Sequence, residues 1–184
     1  MNVFLDTNIL ISFINTTDLF HTECKEILSN NHLNFIVGLL NLIEYRCVMN
    51  RMITEKNLQF DLALQEILNP LTVTQQIENL TEYIVVKIPL KIVTASIIEN
   101  LQILEETYST ENGLILAYKL AKEIPVKTLD LMQICSALKI ILLSQAKIDL
   151  FLTNDKTMLN KKEIILKKTK IQLKSSQELR ESLE

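Results

Sequence analysis

Four acidic side chains in this chain have the types and settings that could do chemistry. Asp6 stands in VFLDTN and Asp155 in LFLTND. In both places a short apolar run meets an acid accompanied by a threonine and an asparagine, Thr7 and Asn8 in the first case, Thr153 and Asn154 in the second. Between them lie Glu44, with Leu40, Asn41, Cys47 and Val48 three and four residues away, and Asp130 in TLDLMQICSALK. Two unit charges about 4 Å apart repel by roughly 4 kcal/mol at an effective dielectric near 20. Four carboxylates sharing a small site therefore need either protonation or a divalent cation. An all-oxygen donor set without His or Cys favours Mg²⁺ or Mn²⁺, as one or two ions. Such ions bind phosphate oxygens and activate water against a phosphodiester.

Each acid also has a structural reading. Asp6 follows an apolar run and precedes Ile9, Leu10, Ile11 and Phe13, so it could simply cap a helix. Glu44 could pair with Arg46 or Arg51. Asp130 is favoured by the dipole of a helix whose cap is expected at Thr128. What decides is whether the chain brings the acids to one place.

The elements that would do so alternate between strand and helix. Strands are expected at Val3–Leu5, Leu33–Val37, Tyr83–Ile88 and Asp149–Leu152, with a weak fifth at Ile171–Leu173. Tyr83–Ile88 is rich in β-branched residues, and Pro89 closes it. Helices are expected over residues 7–14, 19–29, 39–52, 54–69, 93–107, 114–121 and 130–143, with a connecting turn over 75–80 and a loop over 108–112. Strands separated by helices of this length pair in parallel through crossovers. The fold class is α/β, a three-layer α/β/α domain with a central parallel sheet of four to five strands. Ligands bind such sheets at the carboxyl edge, where Asp6 and Asp155 emerge together. Asp149 begins its strand and faces the opposite edge.

Composition narrows the chemistry further. Of 184 residues, 48% are hydrophobic and 22% charged, which describes one globular domain spanning 1–184. Only Gly38 and Gly113 are glycines, so neither a Walker A run nor a G-x-G-x-x-G loop exists. Two histidines make a structural zinc site a poor fit. Cys24, Cys47 and Cys135 are odd in number and set in apolar helical contexts, as expected of buried thiols in a reduced, cytoplasmic protein. The amino terminus lacks the basic lead of a signal peptide, and no apolar run is long enough to span a membrane. Residues 1–155 carry 11 basic against 18 acidic side chains, whereas 156–174 carry seven lysines against Glu163 alone. That tract, with Lys156, Lys161 and Lys162 at its start, is either a nucleic-acid contact or a solvated face.

Taken together, FLDTNILI, the helix-borne Glu44, TLDLMQICSA and FLTND resemble, in order and over nearly the whole chain, the PIN domain family, whose small members include VapC-like toxin ribonucleases. The resemblance implies a metal-dependent endoribonuclease. It places Asp6, Glu44, Asp130 and Asp155 in the catalytic and metal-binding cluster, supported by Thr7, Asn8, Thr153 and Asn154. It also implies an RNA substrate, a homodimer, and an antitoxin partner from a type II toxin–antitoxin pair. The segment between the third strand and Asp130 is longer than a compact toxin needs. Two other classes compete. One is a PIN-like RNA- or protein-binding scaffold without turnover. The other is an aspartyl-nucleophile phosphatase, which would carry a second acid where Asn8 stands.

Overall fold

The computed structural model describes residues 1–94 and 97–183. Five strands form one sheet: β1 (Asn2–Leu5), β2 (Asn34–Gly38), β3 (Leu90–Val93), β6 (Leu150–Leu152) and β7 (Leu173–Lys174). Their order is β3-β2-β1-β6-β7, and every pairing is parallel. The central strand β1 pairs Val3 and Phe4 with Phe35 and Ile36 on one side, and Phe4 and Leu5 with Phe151 and Leu152 on the other.

Side-chain alternation along these strands builds two cores. Val3, Leu5, Phe35, Val37, Leu150 and Leu152 point into one layer, while Phe4, Ile36 and Phe151 point into the other. A period of two assigns every residue of a strand to a face, so the apolar runs are buried on both. The first layer holds α1 (Thr7–Ile14), α2 (His21–Leu28), α3 (Leu39–Thr54), α4 (Leu62–Leu68), α5 (Val73–Lys87) and α10 (Ser176–Glu181). The second holds α6 (Asn112–Leu120), α7 (Thr128–Leu142), α8 (Lys156–Leu159) and α9 (Lys162–Thr169). The three-layer α/β/α expectation with a five-stranded parallel sheet is met.

Several local expectations fail for identifiable reasons. Tyr83–Ile88 is the end of helix α5, and the third strand lies beyond Pro89 at Leu90–Val93. The turn expected at 75–80 belongs to the same helix. β-branched content is a weak strand signal, whereas buried Ile77, Leu80, Ile84 and Ile88 recur at helical spacing. Thr72 and Gln75 form a capping box that starts this helix. Pro89 keeps Ile88 extended, which ends it.

The helix expected over 93–107 and the loop over 108–112 are replaced, where described, by an antiparallel hairpin of β4 (Ile98–Ile103) and β5 (Glu106–Glu111). Residues 95 and 96 of that expectation lie outside the described residues. The hairpin turns through Leu104, which is 92% exposed and has φ 56. A two-residue turn of this kind ordinarily advertises itself with Gly or Asn, and a leucine there hides it. The helix expected at 54–69 shrinks to α4, because α3 runs on to Thr54 and Asp61 caps a separate start by accepting from the Leu64 amide. Cys24 and Cys135 are buried free thiols as expected, but Cys47 is exposed on α3. Among the described residues no helix is long and apolar enough to cross a membrane.

Gly38 ends β2 where α7 passes closest. A Cβ built there would lie 2.4 Å from Ser136 Oγ and 3.2 Å from Asn41 Oδ1. Gly38→Ala should therefore lower stability by on the order of 1 kcal/mol. Adding Ser136→Ala, which removes the nearest atom, should recover most of that loss in denaturant titrations.

Candidate active site

Asp6 leaves the end of β1, where the strand order reverses between β2 on one side and β6 on the other. That reversal opens a crevice at the carboxyl edge of a parallel sheet. Asp155 leaves β6 after Thr153 and Asn154, beside it. Glu44 lies in the second turn of α3, which begins immediately after β2. Asp130 lies in the first turn of α7, the helix that brings the chain back toward β6. A cleft of about 240 Å³ is lined by all four acids together with Thr7, Asn8, Ile11, Lys127 and Leu129.

Three of the acids are held through named oxygens. Asp6 Oδ2 accepts from Thr153 Oγ and from Asn8 Nδ2. Asn8 also donates to Thr153 Oγ at 3.1 Å, and its Oδ1 accepts from the Asn154 amide at 3.1 Å. Asn154 in turn accepts from the Ser176 amide and hydroxyl, both at 2.9 Å, which fastens α10 beneath the edge. Glu44 Oε2 accepts from Thr7 Oγ at 2.5 Å and from Gln133 Nε2. Asp155 Oδ1 accepts from the Met158 amide at 3.0 Å.

The two aspartates that share a sequence context thus differ in role. Asp6 precedes α1 yet makes no side-chain cap bond, whereas Asp155 caps α8. Glu44 pairs with neither Arg46 nor Arg51 among the described ion pairs. Thr128 is the first residue of α7 rather than its cap, a place taken by Lys127 without a side-chain bond. Once helical, Thr128 has its own amide among the orphan donors and cannot fold back as an N-cap does.

Two buried amides complete the site. Asn41, fully buried, donates to the Leu5 carbonyl at 3.2 Å and to Gln133 Oε1 at 3.0 Å, and accepts from the Gly38 amide at 3.2 Å. Gln133, 1% exposed, completes the link by donating to Glu44 and to Thr7 Oγ. Asn41 belongs to the first layer and Gln133 to the second, so this bond closes the sandwich beyond the end of β1. The available signal was spacing: Asn41 is three residues before Glu44, and Gln133 three after Asp130, hence on the same helix faces.

The lysines expected to meet nucleic acid do not line the cleft. Lys162 pairs with Glu178 at 2.7 Å. Lys161 lines a separate groove with Pro125, Leu159 and Asn160. Lys156 is exposed at the start of α8.

The electrostatics of the cluster fit a divalent cation. Burial pushes the Asp6 carboxyl up to about 7, against the Thr153 hydrogen bond, and Glu44 and Asp130 push it the same way. Asp130 is also raised, first by burial and then by Asp155. Asp130 Oδ2 is buried without a hydrogen-bond partner. An unmatched buried carboxylate oxygen facing like charges is what an oxygen-seeking cation satisfies. The side chains are not drawn together as tightly as one ion would draw them: among the described residues no three acids, histidines or cysteines form a ready ligand group.

No family model matches the sequence, and no curated protein matches it. In three dimensions it is similar to a chain in the crystal structure of VapBC2 from Rickettsia felis bound to a DNA fragment from their promoter, with a TM-score of 0.52 and 14% identity over 95% of this chain and 98% of that one. The chain shares the PIN-like fold of that chain. VapBC-1 from nontypeable Haemophilus influenzae gives a TM-score of 0.49 at 15% identity, covering 96% of this chain and 99% of that chain. Within the PIN-like fold the cleft occupies the carboxyl edge of the sheet.

Two predictions follow from the site's construction. Between the ordinary carboxylate range and about 7, Asp6 is protonated when folded and ionised when unfolded. Folding then takes up a proton, so this group's contribution falls as pH rises through that window. In EDTA, Asp6→Asn should be more stable than wild type at pH 7.5, by on the order of 2–4 kcal/mol, and should lose most of that advantage near pH 4.5. Parallel stability curves for the two proteins would contradict this. Asn41→Ala strands a buried amide and a buried carbonyl, and denaturant titration should register a loss of about 2 kcal/mol or more.

Proposed function

We propose that this chain is a divalent-metal-dependent endoribonuclease that hydrolyses RNA phosphodiester bonds, the toxin of a type II toxin–antitoxin pair, with 1–184 acting as one catalytic domain. The observation that carries the reading is the convergence of four carboxylates, from four separate elements, on one cleft at the carboxyl edge. Asp6, Glu44, Asp130 and Asp155 would hold Mg²⁺ or Mn²⁺, one ion or two. Bound there, such an ion supplies Lewis acidity at a phosphoryl oxygen and a low-pKa water.

The protein's own part is to hold the acids ready. Thr153 and Asn8 fix Asp6, and Thr7 and Gln133 fix Glu44. Desolvation keeps a proton on Asp6 until a cation or a base displaces it. Thr7, Asn8, Thr153 and Asn154 therefore act through the acids. The fold likeness to a chain of the VapBC2 assembly supports a partner protein, and an antitoxin, a homodimer and a cytoplasmic location belong to the same reading.

A scaffold without turnover is the second reading, favoured by the absence of a ready ligand group among the described residues. The two separate on binding and cleavage. Calorimetry should show Mn²⁺ binding to wild type and weak or no binding to Asp6→Asn. Asp6→Asn and Asp155→Asn should each slow cleavage of an RNA oligonucleotide by more than about 100-fold while remaining folded, and EDTA should abolish it. Cleavage that survives EDTA would sink the metal-dependent mechanism, and a protein that neither binds Mn²⁺ nor cuts RNA would be the scaffold.

A further inference from the structure

We propose that Lys127 is a phosphate-contacting residue of the cleft, positioning single-stranded RNA against the acids; this rests on the ribonuclease reading above. The difficulty it resolves is electrostatic. A cleft lined by four carboxylates repels a polyanionic backbone, so the strand needs a point of attachment close to the acids but not among their ligands.

Lys127 is the only cation lining that cleft among the described residues. Its backbone is tightly placed. The Leu131 amide bonds its carbonyl at 2.9 Å, Pro125 stands two residues before it, and Ile124 is buried in the second core. Its side chain is the opposite, 70% exposed, with Nζ 4.0 Å from Asp155 Oδ2. That distance is the limit of an ion pair and too long for a hydrogen bond, so the ammonium keeps its donors for another oxygen.

Three other lysines, on α7 and α9, are already held by carboxylates. Lys139 is 13% exposed and paired with Glu111. Lys162 is paired with Glu178, and Lys168 with Glu123. Asp155 Oδ1 is committed to the Met158 amide, which leaves Lys127 beside the other carboxylate oxygen, Oδ2. An ammonium on a long stem binds a phosphate as a point charge and tolerates any base. The expected contribution is affinity and register without sequence preference.

Salt dependence tests this directly, because removing one phosphate contact changes a slope that a structural defect does not. A labelled single-stranded RNA oligonucleotide is titrated with the Asp6→Asn protein at several salt concentrations, with and without Lys127→Ala. The second substitution should weaken binding several-fold near 100 mM salt and reduce the slope of log K against log salt by about 0.7. Lys127→Arg should restore both affinity and slope. In the cleaving protein, Lys127→Ala should act mainly on KM. RNA binding with an unchanged slope overturns the assignment of Lys127 and leaves the nuclease reading standing. No RNA binding by the Asp6→Asn protein overturns the assignment of Lys127, whereas the nuclease reading falls only if the wild-type protein fails to cut RNA with Mn²⁺ present.

Discussion

Burying a carboxylate at the end of the central strand is the constraint on which the rest of this structure depends. Asp6 is 5% exposed, with acids at its side. An ionised group there is stable only if donors or a cation compensate for lost water. The local sequence supplies the donors: Asn8 from the same helix start and Thr153 from the neighbouring strand. That second donor requires β1 and β6 to be adjacent, parallel and in register. The pairing of Leu5 with Leu152 meets the requirement. A one-residue slip of β6 would turn Phe151 into the wrong core and take Thr153 away from Asp6.

The repeated context of acid, threonine and asparagine therefore expresses a shared sheet edge. From it one could read the parallel sheet, the central strand and the gathering of the acids, because burial patterns and strand ends are local signals. The middle of the chain was less legible. Tyr83–Ile88 carries both β-branched residues and a helical burial period, and the period won because the capping box at Thr72 had already committed the chain to a helix. The β4–β5 hairpin lies on the surface with little apolar alternation, and its turn rests on a leucine with positive φ.

The buried amides were illegible for a different reason. Asn41 and Gln133 share helix faces with Glu44 and Asp130, but their bond to each other arises only when α3 and α7 are placed on opposite faces of the sheet. Lys127 is a similar case, since a lysine before a helix says nothing until Asp155 is known to lie across from it. A pattern in one segment reveals that segment's fate. A bond between layers belongs to two segments and to neither alone.

The bridge from Asn41 to Gln133 also makes the site a gauge of how the layers sit on one another. Glu44 rides on α3 in one layer and Asp130 on α7 in the other, with the amide pair as the pin between them. A small slide of either helix changes the spacing of the two acids while leaving each in its own helix, with its own neighbours. The thickness of the sandwich at this point is thus also the separation of two of the four cleft acids.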